Sequence, residues 1–270
     1  MGASQDKWFV FGKRGQKVIL YFSSTGNCKY AAEQIAAKTA DRTVSLSTAY
    51  QSGDFNILPE PGESLGLVLP TYFGVLPSIV VDFLQQAEIR LDSGNYVYTV
   101  DTYGFHYGNV AAELAKILRK KTGREQDADF LLQSVDNWVP NFDLTDQEYV
   151  QSALDKADEL LGGVIADILE KKRVRVKGEW PAPMLLMMKK AYKGASRTKN
   201  FTVSDKCVGC GKCAAQCPLK AIMMTDGHPI WNRTSCALCL GCLHICPENA
   251  IAYTKATIGH GQYYNPNTTR

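Results

Sequence analysis

Lys17-Val18-Ile19-Leu20-Tyr21-Phe22, followed by Ser23-Ser24-Thr25-Gly26-Asn27-Cys28, reads as a buried strand that runs into a small-residue turn and opens a helix. The helix extends from Cys28 to Ala40, with Tyr30, Ala31, Ile35 and Ala36 on its apolar side. Hydroxyls, a glycine and free N–H groups at a helix start can hold a dianionic phosphate without a cation. The turn is neither G-x-G-x-x-G nor a Walker loop, because Gly26 is its only glycine and no lysine stands in the P-loop position. An ordinary helix cap has the same composition, so its neighbours must decide.

Downstream, strand-like and helix-like stretches alternate. Leu65 to Leu69, Tyr96 to Val100 and Phe130 to Val135 read as strands. Ser78 to Ala87 after Pro77, and Val110 to Lys121 closed by Gly123, read as helices. A last helix is expected over Thr145 to Lys172, capped by Thr145 with Glu148 three residues on. Apolar strands with amphipathic crossovers specify an α/β fold, a doubly wound five-stranded parallel sheet covered on both faces. Two loops fall at the C-terminal ends of strands, where such sheets hold their ligands. They are Pro70 to Val75, with Thr71, Tyr72, Phe73 and Gly74, and Asp101 to Asn109, with Thr102, Tyr103, Gly104 and Tyr107. Aromatics beside glycine suit a flat ring that stacks on apolar faces and meets backbone groups at its polar edge.

On these residues the first 170 positions resemble a flavodoxin. The resemblance implies FMN, with Ser23, Ser24, Thr25, Gly26, Asn27 and Cys28 as phosphate loop and Tyr72, Phe73 and Tyr103 around the ring. Cys28 stands where flavodoxins usually have Ser or Thr, which replaces a good hydroxyl donor by a weak thiol; a small packed residue is the role expected of it. Gly74 is the position at which a peptide near the flavin could flip, or else a plain turn.

The other eight cysteines all lie near the C-terminus. Cys207, Cys210 and Cys213 are followed by Cys217-Pro218, and twenty-nine residues on Cys236, Cys239, Cys242 and Cys246-Pro247 repeat the spacing. Ala221-Ile222 and Ala250-Ile251 repeat with them, so the unit is duplicated. A zinc ribbon would show two pairs and a spacer, not two quartets each ending in Cys-Pro. Residues 200 to 255 resemble the bacterial-type two-cluster ferredoxins, which implies two 4Fe-4S clusters, one-electron transfer, and a fourth ligand taken from the opposite repeat. One cluster is then expected on Cys207, Cys210, Cys213 and Cys246, the other on Cys236, Cys239, Cys242 and Cys217. Gly209, Gly211 and Gly241 are expected to let the ligand loops curl. Val208, Leu238, Leu240 and Ile245 are expected to shield the clusters.

The net charge of +3 hides a basic segment: residues 171 to 200 hold ten Lys or Arg against one acid, Glu179. It carries Pro181, Pro183 and the run Met184-Leu185-Leu186-Met187-Met188, and reads as a solvated linker whose methionines pack between two domains, the alternatives being a docking patch for an acidic partner or membrane surface and methionines that contact lipid or a partner helix. The expected organisation is a flavodoxin-like domain over 1–172, a basic linker over 173–199, a two-cluster domain over 200–256 and a tail over 257–270. Met1 to Gln16 shows no apolar leader, and no run of about 18 to 20 apolar residues occurs, which reads as a cytoplasmic protein without a transmembrane segment. No aromatics interleave with the basic charges, so nucleic acid is not the expected partner.

Taken whole, the chain resembles fused flavodoxin-ferredoxin proteins of anaerobic bacteria and archaea, including the ending Gln262-Tyr263-Tyr264-Asn265-Pro266-Asn267. The expectation is an electron-transfer protein relaying electrons between the clusters and FMN, served by redox protein partners. The alternatives are a flavin-dependent reductase of a small organic substrate, with His106 or Tyr107 as proton donor, and a redox sensor.

Overall fold

The computed structural model describes residues 18–270, so Lys17 and the Met1–Gln16 stretch lie outside the described residues. The strands β1 (Val18–Tyr21), β2 (Arg42–Ser45), β3 (Ser64–Pro70), β4 (Tyr96–Tyr103) and β5 (Ala128–Gln133) form one sheet in the order β2-β1-β3-β4-β5. Every pairing in it is parallel, with Val18 opposite Arg42 and Leu65, Ser64 opposite Tyr96, and Tyr98 opposite Ala128. That order is the flavodoxin-like variant of the doubly wound fold, whose ligand crevice opens where the strand order reverses, between β1 and β3.

Period-two alternation sends β1 side chains to opposite faces. Val18, Leu20 and Phe22 join a core with α2 (Leu46–Ser52), α3 (Ser78–Gln86) and α4 (Val110–Thr122). Ile19 joins Val68, Tyr98 and Val100 in a second core under α1 (Asn27–Thr39) and α5 (Gln147–Leu169). The second strand, which no apolar run marks, is Arg-Thr-Val-Ser with only Val44 buried, as an edge strand allows. The cap of α5 is Asp146, which accepts from the Tyr149 amide at 3.0 Å, not Thr145. Thr145 instead donates its hydroxyl to Asp143 at 2.7 Å, in the turn before the helix.

The segment expected as a linker is ordered along much of its length. The Asp129 amide donates to the Val174 carbonyl at 2.8 Å, which binds the segment to the outer strand of the sheet. Asn109 and Trp180 exchange hydrogen bonds at 3.0 and 3.1 Å, and α6 (Ala182–Ala195) follows Pro181. The methionine run lies on α6, and the expectation that it packs between domains needs correction. Leu185 and Met188 turn inward, whereas Met184, Leu186 and Met187 face solvent.

The duplicated unit folds as two interlocked halves. β6 (Phe201–Val203) pairs antiparallel with the last strand, β9 (Ile251–Tyr253), while β7 (Ile222–Thr225) and β8 (His228–Trp231) form a hairpin through Asp226-Gly227. Both turn residues have positive φ, 49° and 78°, the two-residue turn that Asp-Gly favours. Short helices α7 (Lys212–Gln216) and α8 (Gly241–Ile245) follow the cysteine loops and pack on each other. A third core joins the halves of the chain: Val75, Val135 and Leu154 meet Phe201, Leu240 and Tyr253.

Candidate functional site

At the C-terminal edge of the sheet lies a cavity of about 340 Å³, within the range of small-molecule sites. Ser23, Ser24, Thr25, Asn27 and Cys28 line one end, Thr71 to Gly74 and Thr102 to Gly104 its sides. Two residues expected there are turned elsewhere. Gly26, at φ 94°, faces the tail, where an added Cβ would meet Asn265 at 2.9 Å. Tyr107 lies outside the lining, edge-on to Tyr103 at 5.8 Å. The loop after β5 also contributes, with Asp136, Asn137 and Trp138, as do Trp180, Met188, Leu238, Cys239 and Leu240. The β5 loop could have been anticipated from its place at a strand's C-terminal end; the others come from folding back of distant chain.

The turn fits a phosphate by its backbone. Gly26 N–H donates to Ser23 Oγ at 3.1 Å, while among the described residues the amides of Ser24, Thr25 and Asn27 meet no protein acceptor. Thr25 is buried, and its hydroxyl accepts from Asn137 Nδ2 at 2.5 Å. The tail fixes the loop from behind: Tyr263 donates to Asn27 Oδ1 at 2.5 Å, Asn265 Nδ2 donates to the same oxygen at 3.1 Å, and the Asn265 amide donates to the Thr25 carbonyl at 2.8 Å. Cys28 is buried with Sγ 2.9 Å from Thr102 Oγ1, and burial pushes its thiol up to about 12, so it stays protonated at neutral pH.

Phe73 and Gly74 both have positive φ, 53° and 69°, in a turn closed by the Tyr72–Val75 bridge. A Cβ on Gly74 would fall 1.9 Å from the Trp180 ring, and its carbonyl accepts from Asn109 N–H at 2.8 Å. Phe73 lies edge-on to Trp138 at 5.2 Å. Among the described residues, no Lys or Arg lines the cavity; its ionisable side chains are His106, Asp136 and the thiols and phenols, and burial raises the Asp136 carboxyl. His106 Nδ1 is hydrogen-bonded to Glu179, whose other oxygen accepts from Gly108 N–H at 2.7 Å.

The cysteines gather into two cavities, each mixing the repeats. Cys207, Cys210, Cys213 and Cys246 line one; Cys217, Cys236, Cys239 and Cys242 line the other. Amides point at sulfur in equivalent places, Ala221 N–H to Cys217 and Ala250 N–H to Cys246, both at 3.3 Å. The first set is the outer one only through Cys210, which is exposed; Cys207 is half-buried, and Cys213 and Cys246 are buried. Burial pushes Cys236 up to about 11 and Cys239 to about 12, so these sulfurs become thiolates only when a cationic centre joins them. Four sulfurs per cavity with inward amides fit a cubane cluster.

The curl of the ligand loops has unequal chemistry. Gly209 and Gly211 have φ of 68° and 72°; twenty-nine residues on, Leu238 and Leu240 hold 54° and 52°. Gly241, expected to provide the curl, instead begins α8. Val208, expected to shield its cluster, stands exposed.

Cys239 lines both its own cysteine cavity and the cavity above the Ser23 to Cys28 turn. Ser24 Oγ donates to the Cys239 carbonyl at 2.8 Å, and Gln216 Nε2 donates to the Ser24 carbonyl at 3.4 Å. One wall therefore separates the two sites.

Residues 206–251 match the 4Fe-4S dicluster domain family. A 45-residue stretch is 40% identical to a component of the ion-translocating oxidoreductase complex of Methanosarcina acetivorans; the alignment covers 17% of this chain and 17% of that protein's length. Among solved structures, the chain is similar to Fusobacterium nucleatum flavodoxin bound to flavin mononucleotide, with TM-score 0.35 and 15% identity over 58% of this chain and 98% of that one. It is also similar to a putative flavoprotein from Bacteroides uniformis, with TM-score 0.34 and 17% identity over 46% and 94%. The rubredoxin oxygen:oxidoreductase of Desulfovibrio gigas matches at TM-score 0.34 and 16% identity over 57% of this chain and 38% of that one. The fold assignment rests on the strand order itself. The chain is thus a flavodoxin-like sheet joined to a 4Fe-4S dicluster domain.

Proposed function

We propose that this protein is an electron-transfer flavo-iron-sulfur protein, in which single electrons enter at the outer cysteine site and pass through the inner one to FMN. The observation that carries the reading is Cys239, which forms a wall of both the inner cysteine cavity and the cavity above the phosphate loop. Bound there, FMN would supply the exchange between one-electron and two-electron chemistry. The chain's own residues do the positioning. Amides of Ser24, Thr25 and Asn27 would hold the phosphate, and the tail through Tyr263 and Asn265 would keep those amides in place. Tyr72 and Leu240 exclude water between the sites; burial holds the Tyr72 phenol well above its ordinary range, so it stays neutral. Exposure of Cys210 supports contact with a protein donor at the outer site.

Anaerobic isolation followed by metal, sulfide and flavin analysis tests the reading. It predicts about eight iron, eight sulfide and one FMN per chain. An iron-replete protein that takes up no FMN on reconstitution refutes the flavin half, and a zinc-loaded protein refutes the whole.

A further inference from the structure

We propose that the outward face of α6, together with Phe105, is a seat on an anionic lipid surface. At about 100° per residue, Leu185, Met188 and Tyr192 turn toward the protein, where Tyr192 is buried and its hydroxyl donates to the Ala237 carbonyl at 2.8 Å. The opposite face then carries Leu186, Met187, Lys190 and Lys193. Met184, Leu186 and Met187 are 37%, 55% and 57% exposed, and Phe105 is 72% exposed. Phe105 belongs at the same end of the helix: it lies edge-on to His106 at 4.8 Å, and His106 lies 5.5 Å from Trp180, the second residue before α6.

Charge selects the occupant. Lys190, Lys193, Arg197 and Lys199 are exposed, and among the described residues none makes an ion pair. Lys189 pairs with Glu113, and Glu179, the segment's one acid, is turned onto His106 and the Gly108 amide. The helix's outward face therefore carries lysines with apolar side chains set among them and no acid of its own. Leu186 and Met187 stand exposed on a helix surface, which is convex and not an enclosed slot. A planar, deformable, negative surface satisfies both features: apolar tips enter the headgroup boundary while lysine stems snorkel to the lipid phosphates. No described helix is long and apolar enough to cross a membrane, so the contact is lateral. Phe105 also lines the cavity. The proposal does not depend on the flavin reading.

The test is sedimentation of the anaerobically purified full chain with phosphatidylcholine vesicles that contain or lack phosphatidylglycerol. Binding is expected to be at least about fivefold tighter to the anionic vesicles and to weaken with salt. Lys190→Glu with Lys193→Glu should reduce it by about tenfold or more. Leu186→Ser with Met187→Ser should abolish the part that survives in high salt, with circular dichroism and cluster absorbance unchanged in both variants. Three results would overturn the proposal: a folded protein that ignores anionic vesicles, binding that either double variant leaves intact, or lysine-dependent binding to polyglutamate without binding to vesicles.

Discussion

The two cysteine quartets share spacing, Cys-Pro ending and inward amides, yet they sit in different surroundings. The first curls through Gly209 and Gly211 and leaves Cys210 at the surface. The second makes the same curl with Leu238 and Leu240, both buried, and backs onto the cavity above the Ser23 to Cys28 turn. A left-handed backbone costs a leucine roughly 1–2 kcal/mol that a glycine avoids. Burying a leucine side chain recovers about 1.5–3 kcal/mol, and only the second loop has somewhere to bury it. One duplicated unit thus keeps its cysteine pattern while its surroundings diverge.

The comparison breaks most visibly at the crossed ligands. Cys217→Ser should remove the inner cluster and about half the iron while the outer cluster survives, and Cys246→Ser should do the reverse. Iron analysis with low-temperature magnetic resonance distinguishes the outcomes; loss of the cluster nearer in sequence would show uncrossed ligation. Next in size is the αL leucine. Leu240→Ala should cost about 2–4 kcal/mol through the cavity it leaves. Leu240→Gly should cost no more than the alanine, because relief of the backbone offsets the lost methyl, the reverse of the usual order. Rates of absorbance loss in urea measure both. In the first loop, Gly209→Ala should bleach faster in air than Gly211→Ala. A Cβ at 209 meets the Gly227 carbonyl oxygen at 2.8 Å, whereas at 211 the nearest atom is Met224 Cγ at 3.9 Å. The smallest effect falls at the tail: Tyr263→Phe removes one hydrogen bond to Asn27 and should weaken FMN binding by roughly fivefold, about 1 kcal/mol, read by quenching of flavin fluorescence.

The parallel sheet was legible because its central strands are apolar runs: Val18 to Phe22 and Leu65 to Leu69 announce themselves. Edge strand β2, with a single buried residue, carries no such period and is found only by its pairing. In the basic segment composition reports charge and not contact. Glu179, Trp180 and Asn109 form a local lock between residues about seventy apart, which no pattern in the sequence marks. The cysteine spacing marked two quartets, and Ser23 to Cys28 read as a turn that opens a helix. That the two abut through Cys239, and that the tail braces the turn, depends on long-range folding visible only in three dimensions.

The central claim is that the inner cysteine site is the gate to the flavin. Its most direct test is rapid mixing of FMN-loaded Cys217→Ser protein, outer cluster intact, with a reduced protein carrier while flavin absorbance is followed. Flavin reduction at least about a hundredfold slower than in the unaltered protein is the predicted result, roughly 2.7 kcal/mol in barrier; reduction at an unaltered rate would contradict the account.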